Sequence, residues 1–126
     1  YVILYNLALS WQLKSLDETR PDTRTSGLRK SLQLYEHANK LLTSGGSLLQ
    51  GNPLPYMALI CNLGSLYLSE ENHVMARTCQ EHLLSSVMCW IDHNRRGHLE
   101  WWDLILDSFL ASAMLPCFVP STAPAA

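Results

Sequence analysis

The sequence predicts an all-α protein built from antiparallel helix pairs that stack against one another. Apolar residues recur at spacings of three and four through most of the 126 residues, which is typical of amphipathic helices. The segment YNLALS at residues 5–10 is similar to the segment CNLGSLY at residues 61–67. Polar runs with glycine or proline separate the periodic segments. We therefore predict one domain at 1–115 with an irregular tail at 116–126, and about five helices near 1–14, 27–43, 54–69, 73–93 and 98–114.

The first and third predicted helices repeat one pattern of large, large, small and aromatic residues. On a helix that turns roughly 100° per residue, these four positions share one face. The small residue lets a neighbouring helix approach closely. The repetition predicts that both helices pack in the same way. The pattern consists of Leu4, Leu7, Ala8 and Trp11 in the first helix and of Ile60, Leu63, Gly64 and Tyr67 in the third.

The second helix is predicted from the segment LRKSLQLYEHANKLL, which has one apolar face. Thr25 or Ser26 would cap its N-terminus, and the pair Gly45-Gly46 would end it. The polar segment at 15–26 contains Pro21 and is predicted as a loop of about a dozen residues. The apolar face consists of Leu28, Leu32, Leu34, Tyr35, Ala38 and Leu41 or Leu42.

The remaining helices are predicted mainly from their boundaries. Pro53 or Pro55 suits the first turn of the third helix, and Asn72 suits the N-cap of the fourth. The apolar stripe of the fourth helix contains Val74, Ala76, Leu83, Val87 and Trp90. A fifth helix is predicted because the spacing of the first one returns at Trp102, Ile105, Leu106 and Phe109.

The two helix pairs resemble the tetratricopeptide repeat (TPR), a helix–turn–helix unit that stacks into an α-solenoid. The second pair keeps the TPR spacing without insertion from Ile60 through Leu83, whereas the first departs from it by the segment at 15–26. The amino-acid sequences of both pairs are also similar to those of the TPR-like proteins of diatoms. The resemblance implies a protein-binding or scaffold role. Since repeat arrays usually need three or more units, it also suggests missing N-terminal repeats or a homo-oligomer.

Composition argues against several classes of partner. Nine Lys and Arg against eleven Asp and Glu give a formal net charge of −2, so no basic surface for nucleic acid or anionic lipid is expected. No uncharged apolar stretch approaches the ~20 residues of a membrane-spanning helix. The four cysteines are widely spaced in helical segments, which favours a reducing intracellular compartment. Because the chain opens on tyrosine, we expect that an upstream part was cut away, with any targeting signal.

The TPR resemblance implies a ligand groove along the first helices of successive pairs. No Lys or Arg falls among the groove-facing positions, which argues against a clamp for an acidic peptide terminus. We expect a protein ligand, bound as a peptide or a helix. Asn6 and Asn62 could hold its backbone, or they could face solvent or bond within their own helices. The predicted partner-binding residues are Tyr5, Asn6, Leu9, Gln12, Asn62, Ser65 and Leu68.

We predict no catalytic residue, metal site or cofactor. Cys79, His82, Cys89 and His93 have the spacing C-x2-H-x6-C-x3-H, but a helical rise of 1.5 Å per residue spreads them over roughly 21 Å. One tetrahedral zinc ion cannot bind all four. No nucleophile elbow, phosphate-binding glycine loop or metalloprotease motif is present.

Two expectations remain open at the level of sequence. Gln80 stands where the TPR usually has a bulky aromatic residue, so its amide should bond across the helix seam or turn toward solvent. We accordingly expect Gln80→Phe to stabilise the domain. The alternative to ligand binding is a structural or self-associating segment of a larger array with no peptide ligand.

Overall fold

The computed structural model describes residues 1–44, 53–94, 107–109 and 111. It contains α1 (Val2–Asp17), α2 (Pro21–Ser44), α3 (Leu54–Ser69) and α4 (His73–Asn94). Residues 107–109 and 111 are also helical, and the described part of the chain contains no strand. The all-α prediction is confirmed. Most of the predicted fifth helix, the tail and the domain boundary after 115 lie outside the described residues.

The connection between α1 and α2 is much shorter than the sequence suggested. Residues 18–20 join the two helices, so the prediction of a loop at 15–26 is wrong. Pro21 opens α2, where its missing N–H leaves no hydrogen bond unmade. Thr25 and Ser26, predicted as caps, lie inside the helix and are exposed to solvent. An exposed helix face accepts polar residues, and the polarity of this segment therefore did not indicate a loop.

Small residues hold α1 and α2 close together. Ala8 is completely buried, and the buried Ser31 hydroxyl donates a 2.7 Å hydrogen bond to the Ala8 carbonyl oxygen across the helix pair. Four residues before Ser31 on α2, Gly27 lies directly against the buried Ser15 of α1. Both contacts need a small residue on each helix.

The two helices of the second pair begin at the residues that the sequence predicted as their boundaries. Pro55 lies in the first turn of α3, and the Asn72 side-chain oxygen caps α4 by accepting a 3.2 Å hydrogen bond from the Met75 N–H. Both predictions are confirmed. Gly64 of α3 faces Cys79 of α4, and a Cβ added to Gly64 would lie 3.3 Å from the Cys79 Cβ. This pair therefore also approaches closely at a small residue.

The two pairs join where α2 packs against α3. The Tyr67 hydroxyl of α3 donates a 2.7 Å hydrogen bond to the Glu36 carboxylate of α2. Arg29 and Glu70 form a 3.2 Å ion pair at the surface, which contributes little to stability. The order of packing is that of a short helical repeat. Its buried apolar residues are Ala8, Tyr35, Ala38, Leu42, Met57, Leu59, Ile60, Leu63, Leu66, Tyr67, Ala76, Cys79, Leu83 and Val87.

In the repeated pattern, the large residue and the small residue that directly follows it pack differently in the two units. In α3, both Leu63 and Gly64 are buried, whereas in α1 only Ala8 is, and Leu7 stays 45% exposed. The prediction that both helices pack in the same way is therefore wrong at Leu7. The cause is positional, since Leu63 lies on the side of α3 that meets α2. The described residues put no helix against the equivalent side of α1.

In the described ranges, no helix is both long enough and apolar enough to cross a lipid bilayer.

Candidate functional site

A hydrogen-bonded bridge joins the first helices of the two units. The Asn62 amide nitrogen of α3 donates to the Tyr5 hydroxyl of α1 and to the Tyr35 hydroxyl of α2, each at 3.1 Å. The Tyr35 hydroxyl donates in turn to the Gln12 side-chain oxygen at 3.0 Å. The Tyr5 and Tyr35 rings meet edge to face with centroids 5.5 Å apart. This bridge connects α1 with α3, and side chains next to it on both helices are the predicted lining of the ligand groove.

The bridge occupies polar groups that were predicted to meet a ligand. Both N–H groups of the Asn62 amide bind tyrosine hydroxyls, and the Gln12 oxygen accepts from one of the same two hydroxyls, that of Tyr35. Tyr5 is half-buried and also bonded. The structure therefore brings these three predicted residues together, and the polar atoms named here bind within the protein.

The other predicted residues differ in how far they reach solvent. Leu9 lies one turn after Tyr5 and is half-buried, while Asn6 is exposed and its side chain makes no hydrogen bond to described residues. On α3, Leu68 is 38% exposed, and the exposed Ser65 hydroxyl donates to the Cys61 carbonyl oxygen of its own helix at 3.2 Å. Leucine carbon atoms thus make up much of the accessible lining.

The groove is electrically neutral at physiological pH. Its predicted lining contains no Asp, Glu, Lys, Arg or His. Burial raises the pKa of the Tyr5 hydroxyl, and burial together with neighbouring Tyr5 raises that of Tyr35. Both phenols consequently stay protonated and act as neutral hydrogen-bonding groups. Such a groove suits an uncharged apolar surface.

Gln80 borders a small cavity between α3 and α4. The side-chain nitrogen of Gln80 is buried and has no hydrogen-bond partner among the described residues. The cavity beside it measures about 40 Å³. The amide was expected either to form a hydrogen bond across the helix seam or to turn toward solvent. Its nitrogen does neither, because it is buried and makes no hydrogen bond to the described residues. The cavity is lined by Ile60, Cys61, Gly64, Ser65, Leu68, Ala76, Cys79, Gln80 and Leu83.

We expect Gln80→Phe to raise the free energy of unfolding by about 1 kcal/mol or more. The substitution removes a buried amide group whose desolvation costs ~1–3 kcal/mol, and the cavity gives the ring room. Urea denaturation followed by circular dichroism measures the change. Gln33→Phe on the exposed side of α2 is the matched control, expected to leave stability within about 0.5 kcal/mol. A lower stability for Gln80→Phe would show that the amide is already satisfied.

The residues considered for zinc are spread through α4 in different environments. Burial raises the pKa of the Cys79 thiol to about 11, so at neutral pH it is not the thiolate that binds metals or attacks substrates. His82 is exposed and its Nδ1 lies 3.1 Å from the Tyr56 hydroxyl. Cys89 is exposed. The described residues contain no group of three or more Cys, His, Asp or Glu side chains able to hold a metal ion.

The sequence analysis missed the central role of Tyr35. It assigned this residue to the apolar face of the second helix, and Tyr35 is indeed completely buried. Its hydroxyl nevertheless connects α1, α2 and α3. The available signal was the residue type, because a buried tyrosine usually needs a partner for its hydroxyl whereas phenylalanine does not.

Comparisons of the chain with protein-family models, with curated proteins and with solved structures gave no significant match.

Proposed function

We propose that the chain is a TPR-like segment that binds a protein ligand, as a peptide or a helix, in the groove beside the Asn62 bridge. The role is one of binding or scaffolding, without catalysis. The observation that carries the proposal is the bridge itself, which connects Tyr5 and Asn62 across 57 positions of sequence and so aligns two first helices. Exposed leucines on two such helices would offer a peptide an apolar surface to bind.

The lining favours a ligand that satisfies its own backbone hydrogen bonds. Ser65 and Ser69 donate their hydroxyl hydrogens to carbonyl oxygens of α3, and the Asn62 N–H groups are occupied. The backbone N–H and C=O groups of an extended peptide would therefore find few free hydrogen-bond partners along this part of α3. A helix with an uncharged apolar stripe would bury its leucine-like side chains against Leu9 and Leu68, at about 25 cal/mol per Å² of apolar surface.

Selection from a random peptide display library tests this proposal. Peptides selected on the unmodified chain should carry an apolar stripe, and their affinity should fall about tenfold or more on the variant Leu13→Glu or Leu68→Glu. Leu13 is 56% exposed and lies two turns after Tyr5, so the substitution adds a charge to the groove without disturbing the core. Fluorescence anisotropy with the selected peptides measures the affinities.

Ile3→Glu is the matched control for these groove variants. It places the same charge on α1, on a side that does not border the groove, and peptide affinity should stay unchanged. Peptides that bind the Leu13→Glu and Leu68→Glu variants as tightly as the parent would show that the groove is not the binding site.

A further inference from the structure

One side of α1 carries large residues that reach solvent. Ile3 is 82% exposed, Leu7 is 45% exposed and Trp11 is half-buried. At roughly 100° per residue, these three positions and that of Lys14 fall on one side of the helix. We call Ile3, Leu7, Trp11 and Lys14 the lateral face of α1. Among the described helices only α2 packs extensively against α1, and it leaves Ile3, Leu7 and Lys14 exposed.

The neighbouring edge of α2 extends the lateral face. The Lys30 ammonium lies 4.7 Å from the centroid of the Trp11 ring, so the side of α2 that carries Lys30 borders this face. Leu34 and Leu41 follow Lys30 by four and eleven residues and share its side of the helix. Leu34 is half-buried and Leu41 is 52% exposed. Because the two helices are antiparallel, their apolar residues gather at one end of the surface and their lysines at the other.

The lysine end holds two positive charges that no carboxylate pairs with in the described ranges. The Lys14 and Lys30 ammonium groups lie 5.6 Å and 4.7 Å from the centroid of the same indole ring. The ion pairs formed by the described residues use Arg29 and Arg77, and neither lysine takes part in one. Carboxylates form strong, charge-assisted hydrogen bonds with ammonium groups. This end of the surface therefore favours an acidic partner.

The second unit shows what covers a face of this kind. When Ala8 is aligned with Gly64, each residue of the lateral face has an equivalent in α3. The three large equivalents are at most 7% exposed and lie on the side of α3 that packs against α2. A second helix, antiparallel to the first, is therefore the occupant to expect. The equivalents of Ile3, Asn6, Leu7, Trp11 and Lys14 are, in that order, Leu59, Asn62, Leu63, Tyr67 and Glu70.

Three polar contacts accompany the packing of α2 on α3. They are made by Arg29 with Glu70, by Glu36 with Tyr67 and by Tyr35 with Asn62, at 3.2, 2.7 and 3.1 Å. α1 keeps the asparagine as the exposed Asn6, and Trp11 supplies an N–H donor where α3 supplies an O–H donor. Only the charged contact is reversed, since Lys14 stands where α3 has Glu70. The helix that fits α1 therefore resembles α2 but has an acidic residue in the place of Arg29.

We propose that the lateral face of α1 binds an amphipathic helix of another protein, with a carboxylate opposite Lys14 and an apolar stripe against Ile3 and Leu7. The bound helix lies antiparallel to α1, as α2 lies to α3, and its N-terminal half is beside Lys14 and Lys30. The exposed amide of Asn6 binds a polar side chain of that helix. This is a second binding surface, and it does not depend on the proposed function of the groove.

Charge argues against a second copy of the chain as the occupant. The α2 helix of a second copy would place Arg29 opposite Lys14, and like charges across an interface suppress a wrong partner. In α4 the same repeat position is Val74, which offers no carboxylate, and Glu81 is already paired with Arg77 at 3.1 Å. Neither second helix of the described chain therefore has the acidic residue that Lys14 requires.

A peptide copied from α2 with one substitution is the probe. The peptide of residues 21–44 carrying Arg29→Glu keeps Tyr35 and Glu36 and presents a carboxylate to Lys14. The unmodified peptide is the matched control, because arginine and glutamate have similar helix propensities. In fluorescence anisotropy with the 126-residue chain, the Arg29→Glu peptide should bind about five- to tenfold more tightly than the unmodified peptide at low ionic strength. Higher salt should reduce the difference.

Variants of the chain identify the face. Lys14→Glu should reverse the preference between the two peptides, because it recreates the pairing of Arg29 with Glu70. Ile3→Glu should weaken binding of the Arg29→Glu peptide about tenfold or more, with a circular dichroism spectrum that matches the parent. Lys40→Glu makes the same charge change as Lys14→Glu at another exposed lysine, and binding should stay unchanged.

Leu68→Glu distinguishes this face from the groove. It should leave binding of the Arg29→Glu peptide unchanged while it weakens peptides selected for the groove, so each proposal can fail alone. Equal affinities of the two α2 peptides would overturn the proposal, and so would unchanged binding of the Arg29→Glu peptide to the Lys14→Glu chain. A mass above 14.2 kDa in light scattering that returns to this value with Ile3→Glu would assign the face to a second copy and would also overturn it.

Discussion

Tyr35→Ala is expected to lower the free energy of unfolding by about 3–5 kcal/mol, the range for removing a buried aromatic side chain. Tyr35 is completely buried, and its hydroxyl joins three helices through Gln12 and Asn62. Loss of the ring leaves a cavity and removes the edge-to-face contact with Tyr5. Since domains of this size have total stabilities of about 5–15 kcal/mol, the variant should unfold at a much lower urea concentration.

Tyr35→Phe separates the ring from the hydroxyl. It keeps the packing but deprives Gln12 of a donor and Asn62 of one acceptor, so we expect a loss of about 1–2 kcal/mol. Equal losses for Tyr35→Ala and Tyr35→Phe would mean that hydrogen bonding accounts for the whole effect. A loss below about 1 kcal/mol for Tyr35→Ala would contradict its position at the centre of the core.

Gly27→Ala is expected to destabilise the protein although alanine is the better helix former. A Cβ at position 27 would overlap the Ser15 hydroxyl oxygen and lie 3.1 Å from the Ser15 Cβ. Overpacking of this kind costs ~1–3 kcal/mol, against a gain of ~1 kcal/mol in helix propensity. The net loss should be about 1–2 kcal/mol in urea denaturation.

A second substitution identifies the cause of that loss. Ser15→Ala removes the overlapping oxygen, so the double variant Ser15→Ala/Gly27→Ala should be more stable than Gly27→Ala alone. Gly64→Ala is the matched control at the other helix pair, where the added Cβ would lie 3.3 Å from Cys79, and its loss should be smaller. If Gly27→Ala is stabilising, α1 and α2 can separate slightly at little cost.

Helix boundaries could be predicted where the signal is local. The bounds Leu54–Ser69 of α3 agree with the sequence, because Pro55 and Asn72 mark the neighbouring turns by their own chemistry. The start of α2 was missed because the residues after Pro21 are polar, and polarity is shared by loops and exposed helix faces.

The groove could be predicted only in part. Helical spacing put Leu9 and Leu68 on the accessible side, and the structure leaves Leu9 half-buried and Leu68 38% exposed. The partners of Asn62 lie 57 and 27 positions away, and no single-helix pattern identifies such pairs. The same limit applied to Leu7, whose burial depends on a neighbouring helix and not on its own spacing.

The short connection at residues 18–20 has a consequence for how the chain folds. Closing a three-residue connection costs little entropy, and the contacts between α1 and α2 are close in sequence, which is the condition for rapid folding. We expect the hairpin of α1 and α2 to form early, with Tyr35 already in place. α3 then adds to a surface that exists before it arrives, so synthesis from the N-terminus and assembly of the core proceed in the same direction.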